Sequence, residues 1–519
     1  MNLKSMLDAT VSLYADKTAI TCGDYRMSYT ELEEASNRIA NKLLVLGIGK
    51  GDRVAILLLN NPQFVIVFFG IVKSGAVAVP LDTKYKPNEL KCLLEQCKPQ
   101  VLFCESQYLE PLADLLPQWA YIKHVISVGG GEGQCYLSYE EIIKESPPKR
   151  IEVDIAAADT VCIAYTSGPA LKPKGAVLPH ANLVKSIEIS AEGFAQTEKD
   201  KVMLFALPMH HIVGLIIILL TSIYRGSTVV MLSGLSINSL MQVIEEEKVT
   251  IFIGVPFIHR LIVKKVLEEG LEHDLRSLRI CGSIGAPLPP ELEQRFEHYL
   301  GLRLINFYGL TESTAHVTCQ PLDGSGKPGS VGRALPGWEI RIIDDKNREI
   351  PANQSGEVII KGPIMSHYYE NSSETREMIK QGWLYTSDIG RMDEDGYLFL
   401  EGLKKDMVIT KGQNIYPSDI ESVLIGHSSV AEVLAVGIPD RMRGEVVGVA
   451  VVLKAGATAT VQQIKKHCLK YLANYKIPKQ VVFLSALPKT TDGSINRQAI
   501  AERLIQIYSV AQEKKTKSR

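Results

Sequence analysis

The residues that could do chemistry gather in four short stretches. Tyr165 to Gly175 reads YTSGPALKPKG, which puts small residues, hydroxyls and two lysines into one loop. That composition wraps backbone N–H groups around a polyphosphate and adds a point charge to it. Asn306 to Ser313 reads NFYGLTES, with the single carboxylate of Glu312 beside Thr311 and close to Tyr308. One carboxylate is enough for Mg²⁺, which takes one or two from the protein and fills its shell with water and phosphate oxygens. Leu384 to Leu398 reads LYTSDIGRMDEDGYL, where Asp388 precedes a glycine and offers an acceptor for ribose hydroxyls. Leu207 to Leu215 reads LPMHHIVGL, a histidine pair running into an apolar segment.

These stretches need a scaffold that brings them together. Through the first four hundred residues, strand-like runs alternate with amphipathic helical ones: VAILLL, then FVIVFFGIVKSG, then VAVPL; later TVVML before SLMQVIEEEK, and TIFIGV before HRLIVKKVLEEG. The alternation predicts βαβ units and mainly parallel sheets. From Gly329 to Phe399 the pattern turns to short strands with Gly and Pro turns, which predicts a β-rich subdomain. After Gly402 come MVITKG, SDIESVLIGH, VAEVLAVGIP, EVVGVAVVLK and IKKHCLKYLANYK, a second α+β unit. The expected class is α/β: a large N-terminal domain over 1–401, and a small mobile α+β domain over 402–519 with a hinge near 402–406.

At 519 residues the chain is too long for one core. Apolar content of 46 % and charged content of 22 % describe an ordinary globular protein, and the formal net charge of -1 argues against nucleic acid as a partner. Nine scattered cysteines with no CxxC pair suggest neither a disulfide framework nor a zinc site. The N-terminal residues lack the apolar run of a signal peptide, and Ile212 to Leu220 is about half the roughly 20 residues of a membrane span. The expectation is a soluble cytoplasmic protein whose oligomeric state is open.

In order and spacing, these blocks resemble the adenylate-forming superfamily of acyl-CoA synthetases, luciferases and peptide-synthetase adenylation domains. The resemblance extends through GAVAVPLDTKYKPNEL, GSIGAPLPPEL, GSVGRALPG, GEVIIKGPIM, KKDMVITKGQNIYPSDIE, GIPDRMRGE and LPKTTDGSINR. It implies an ATP- and Mg²⁺-dependent acid–thiol ligase. A carboxylate attacks the α-phosphate of ATP to give an acyl-adenylate, and a thiol, usually that of coenzyme A, displaces AMP. It implies that Thr166, Ser167, Gly168 and Lys174 contact phosphate, that Thr311 reaches the α-phosphate and that Glu312 carries magnesium. Gly285, Ala286, Pro287, Asn306, Tyr308 and Gly309 match the adenine pocket, Asp388 the ribose contact, and Lys405 the hinge. His211 matches the histidine at the carboxylate pocket, with His210 at a usual aromatic position. Apolar neighbours of His211 favour a fatty or aromatic acid over an amino acid.

The chain departs from the family pattern at three places, all on the nucleotide side. Pro169-Ala170-Leu171 replaces a Thr-Thr-Gly segment, removing two hydroxyls and one N–H donor. Leu403 stands where an arginine reaches the ribose, and Ser494 where a lysine reaches the phosphate and carboxylate. Lys489 and Arg497 are nearby cations, though both match other family positions. A working acyl-CoA ligase, an adenylating enzyme serving a carrier-protein thiol, and a family member that binds nucleotide or acyl ligand with impaired adenylation all remain open.

Overall fold

The computed structural model describes residues 1–130, 136–166, 173–197, 199–232, 234, 236–403, 407–488 and 495–517, with backbone alone at 403, 511 and 513–517. Contacts divide the chain into two compact units. One holds Met1–Thr83, Leu94–Thr166 and Lys174–Gly402; the other holds Lys84–Leu93 and the chain from Leu403 onward. The segment Lys84–Leu93 thus clusters with the second unit, although the sequence places it inside the large domain.

Three sheets build the first unit among the described residues. Parallel strands Thr18–Cys22, Thr228–Met231, Val202–Phe205, Ile251–Gly254, Ile280–Ser283 and Leu304–Tyr308 run side by side at the centre of the first sheet. In the second, Thr160–Tyr165, Val77–Pro80, Arg53–Leu57, Val101–Glu105 and His124–Val128 are also parallel. Gly175–Pro179 and His367–Tyr368 extend that sheet antiparallel at one edge. Buried on both faces, these strands read as near-continuous apolar runs, as the sequence pattern requires. The third sheet is antiparallel: Glu339–Ile343, Gly356–Lys361 and Trp383–Met392, with Ile379–Lys380 and Leu398–Leu403. It is the β-rich region expected from 329 to 399.

In the second unit, Val430–Asp440 and Gly444–Leu453 form a long antiparallel pair, flanked by Val408–Thr410 and Gln480–Leu484. The helices Pro417–Ile425 and Val461–Tyr471 contribute Ile420 and Ile464 to one core cluster, and Arg497–Lys517 contributes Ile500 and Leu504 to another. Within IKKHCLKYLANYK the helix ends at Tyr471, and Asn474–Lys476 closes as a 3₁₀ turn. Arg497 reaches Ala435 O at 3.0 Å and Glu421 at 3.7 Å, so its guanidinium is engaged within this unit.

One buried charge cluster pins the helical layer of the first unit. Lys73, 1 % exposed on the helix Pro62–Ser74, donates to Glu33 Oε2 at 2.6 Å and Asn37 Oδ1 at 2.8 Å on the helix Tyr29–Val45. Arg150 Nε donates to the other Glu33 oxygen at 3.0 Å. Removing one member leaves a buried charge without its partner, which costs far more than the pair contributes. Lys73→Met should therefore destabilise the first unit by about 3 kcal/mol or more, read as a lower urea midpoint. An unchanged midpoint would show that Arg150 alone satisfies Glu33.

Candidate active site

Several of the sequence-selected residues lie just beyond the ends of parallel strands. Thr166 follows Thr160–Tyr165, Gly285-Ala286-Pro287 follow Ile280–Ser283, Gly309 to Glu312 follow Leu304–Tyr308, and the His210–His211 loop follows Val202–Phe205. The crevice beyond the carboxyl ends of strands is where open α/β sheets bind ligands. Ser167, Gly168, Pro169-Ala170-Leu171, Lys405, Lys489 and Ser494 lie outside the described residues, as does the side chain of Leu403.

The turn carrying Thr311 and Glu312 is tightly built. A Cβ at Gly309 would fall 1.2 Å from Ala315 O, so only glycine lets the loop fold back this closely. Thr314 and Ala315 then take φ of 53° and 92°, a left-handed conformation that side chains rarely adopt. Thr314 Oγ1 donates to Pro363 O at 2.6 Å, and Met365 N donates to Glu312 O at 2.7 Å. Burial pushes the Glu312 carboxyl above its ordinary range, while a hydrogen bond from Tyr368 Oη to Oε1 at 2.6 Å opposes that rise. No group of three or more His, Cys, Asp or Glu side chains gathers as a metal cage among the described residues. A lone part-buried carboxylate fits Mg²⁺ that shares its shell with phosphates rather than a resident all-protein metal site.

Asp388 owes its direction to a β-bulge. Tyr385 and Ile389 pair with Ile359 and Glu357, so Thr386, Ser387 and Asp388 stand opposite the single Val358. Thr386 Oγ1 donates to Val358 O at 2.7 Å and accepts from Asp388 N at 3.0 Å. Ser387 sits at φ 62° within this bulge. Bulges beside functional sites re-aim a side chain, and here Asp388 meets Tyr308, whose Oη donates to Oδ2. Burial raises the Asp388 pKa from 3.8 to about 6; the charges of Glu312 and Glu357 add to that rise and the Tyr308 hydrogen bond opposes it. Asn306, 4 % exposed, is partly committed, donating through Nδ2 to Ser330 O at 2.9 Å.

On the acid side, burial and the neighbouring His210 lower the His211 pKa to about 4, so the ring is neutral near pH 7. Val213 N donates to its Nδ1 at 3.4 Å, which leaves the ring proton on Nε2. His210 Nε2 faces Asp82 Oδ2 at 3.6 Å. The next residues, Val213–Leu220, form a π-helix with every side chain buried. A Cβ at Gly214 would come 2.2 Å from Pro208 O, so the histidine loop lies directly on this helix.

Sequence reasoning missed two side chains. Lys174 Nζ lies 2.5 Å from Glu374 Oε2 and 5.7 Å from the centre of the Tyr368 ring, and Tyr368 is the residue bonded to Glu312. Glu374 is the third residue of the helix Ser372–Met378, capped by Asn371. A glutamate three residues after a capping asparagine is a helix-start signal, and that ordinary reading hides its long-range contact.

Comparison with known proteins shows what the chain as a whole is similar to. A family model described as AMP-binding enzyme matches residues 7–369, and one for the AMP-binding enzyme C-terminal domain matches 419–494. A long-chain-fatty-acid–CoA ligase from Bacillus subtilis is 30 % identical over 96 % of this chain and 94 % of its own. An oxalate–CoA ligase from Arabidopsis thaliana is 30 % identical over 97 % and 99 %. The solved o-succinylbenzoate CoA synthetase of Bacillus subtilis, a double mutant with a product analogue bound, superimposes with a TM-score of 0.85 at 28 % identity, covering 96 % and 98 %.

Two measurements follow from the bulge. Ser387→Gly relieves a left-handed serine and should raise stability by about 1 kcal/mol; a thermal scan showing no gain would mean the bulge is unstrained. The folded protein holds the Asp388 proton more tightly than the unfolded chain does. Stability from this group is therefore present below pH 3.8 and lost as pH rises through about 6. Asp388→Asn should flatten the melting-temperature change between pH 4.5 and 6.5, and a slope equal to the wild type's would show Asp388 ionised throughout.

Proposed function

The chain belongs to the AMP-binding enzyme family, and from that premise we propose that it joins a hydrophobic carboxylic acid to coenzyme A, using ATP, through an acyl-adenylate. Two observations carry this reading: Thr166, His211 and Glu312 lie beyond the carboxyl ends of parallel strands, and side-chain contacts link Asp388 to Tyr308, and Lys174 through Tyr368 to Glu312. In the proposed reaction a carboxylate oxygen of the acid attacks the α-phosphorus while the bond to pyrophosphate breaks. The thiolate of coenzyme A then attacks the acyl carbon and AMP departs.

Each residue has a task within that sequence. Lys174 and the Thr166 loop meet the polyphosphate. Asp388 accepts the ribose hydroxyls, and Asn306, Tyr308 and the Gly285-Ala286-Pro287 backbone border the adenine. Glu312 would hold Mg²⁺, whose charge offsets that of the phosphates when it is bound. His211, neutral and protonated on Nε2, donates to the acid's carboxylate. The small C-terminal domain, turning about Lys405, serves the second step with its other face.

The class of acid is inferred from the apolar segment that follows His211. The π-helix beside His211 offers no polar side chain over Val213–Leu220, which suits a fatty or aromatic body. The relatives do not choose for it, since chains of equal identity are named for a long-chain fatty acid and for oxalate.

AMP formation from ATP across a panel of fatty, aryl and dicarboxylic acids, with and without coenzyme A, tests the proposal. AMP that depends on both a hydrophobic acid and coenzyme A is the expected result. Ser494→Lys should then raise the acid-dependent rate by roughly a hundredfold, the usual scale for one transition-state donor. No AMP with any acid and no gain from that substitution, while calorimetry still registers ATP, would instead leave a nucleotide-binding family member that has abandoned the first step.

A further inference from the structure

Lys174 is held by an anion of its own unit in the place where a phosphate oxygen would meet it. Its Nζ lies 2.5 Å from Glu374 Oε2, with both side chains only partly buried, so the pair can exchange partners. Glu374 is itself fixed: its N–H donates to Asn371 Oδ1 at 3.2 Å, and the next residue, Thr375, accepts from Tyr368 N at 2.9 Å and donates to Asn371 O at 2.7 Å. The Lys174 ammonium also faces the Tyr368 ring, whose hydroxyl is bonded to Glu312. The lysine and the candidate magnesium carboxylate are therefore tied to one tyrosine. A polyphosphate spanning Lys174 and Glu312 would meet the Glu374 carboxylate at contact range, where the two anions repel each other and compete for the one ammonium.

We propose that Glu374 is a placeholder anion, a positioning residue that keeps Lys174 extended toward the nucleotide, yields it to arriving phosphate and reclaims it as pyrophosphate leaves. This rests on the assignment of Lys174 to phosphate made above. A lysine has four rotatable bonds, and a fixed partner removes much of the rotamer search before phosphate arrives. The arrangement matters more in a chain with Ser494 in place of the family's lysine and Pro169-Ala170-Leu171 in its phosphate loop, since Lys174 then carries more of the phosphate contact.

Calorimetry on the full chain, with inorganic pyrophosphate and with ATP as separate probes, decides the matter. Glu374→Gln removes the competing charge and should bind pyrophosphate roughly three- to tenfold more tightly, whereas Glu374→Asp should stay near the wild type. Repeated in a Lys174→Met background, Glu374→Gln should have no effect, because the competition runs through the lysine. A melting temperature equal to the wild type's confirms that the variants are folded. Unchanged or weaker pyrophosphate binding by Glu374→Gln, or the same gain without Lys174, overturns the placeholder role while leaving the nucleotide site intact. A wild type that binds neither ATP nor pyrophosphate overturns both this inference and the assignment beneath it.

Discussion

The arrangement of the site depends on a short strap, residues 363 to 375, that stitches loops from two sheets together. Its backbone donates from Met365 to Glu312 O, from Ser366 to Val177 O and from Tyr369 to Gly175 O, at 2.7, 2.9 and 2.7 Å. Its Pro363 carbonyl accepts from Thr314, and its Tyr368 hydroxyl reaches Glu312. Parallel strands leave their functional loops at one end, and nothing in the βαβ pattern itself fixes one sheet's loops against another's. A strap with hydrogen bonds to both supplies that constraint, so Lys174 and Glu312 keep their separation without touching. The same strap sets the chemistry of Glu312, because Tyr368 gives the half-hidden carboxylate a donor that favours its charged form.

Around this strap the backbone is bent into conformations that cost free energy. Thr314 and Ala315 in the loop after Leu304–Tyr308, and Ser387 in the bulge of Trp383–Met392, hold positive φ although none is glycine. Each such residue costs on the order of 1–3 kcal/mol and persists only where surrounding contacts over-determine it. The contacts are visible: Pro363, Met365 and Leu310 grip the loop, and Val358 with Thr386 grips the bulge. Local structure here is subordinated to the direction in which Glu312 and Asp388 must point.

Much of this was legible beforehand, and the division has a physical basis. Hydrophobic alternation placed the strands and helices of both units, because burial on one or two faces writes itself into residue spacing. The loops after the strands stood out because short runs of hydroxyls, glycines, lysines and a lone carboxylate interrupt the apolar pattern around them. Tyr368 and Glu374 escaped because each works through a partner far away in sequence, 56 residues for Glu312 and 200 for Lys174. Locally, IMSHYYENSSET looks like a short strand and a capped helix, which it also is. The strain at Ser387 was equally hidden, since it arises from the register of two strands rather than from the serine.

The electrostatics of the two halves of the site are deliberately unequal under the proposed reaction. On the phosphate side, a lysine and a carboxylate suited to a divalent cation meet charge that must spread and leave with pyrophosphate. On the acid side, burial and His210 strip His211 of its charge, so its Nε2–H orients a carboxylate without neutralising it. A cation in that position would stabilise the nucleophile more than the transition state, since the attacking oxygen loses charge as the bond forms. A neutral donor against an apolar wall avoids that penalty and leaves the acid both aligned and reactive. The sequence motif shows two adjacent histidines in this loop, but only burial beside His210 makes His211 the uncharged donor that the proposed asymmetry requires.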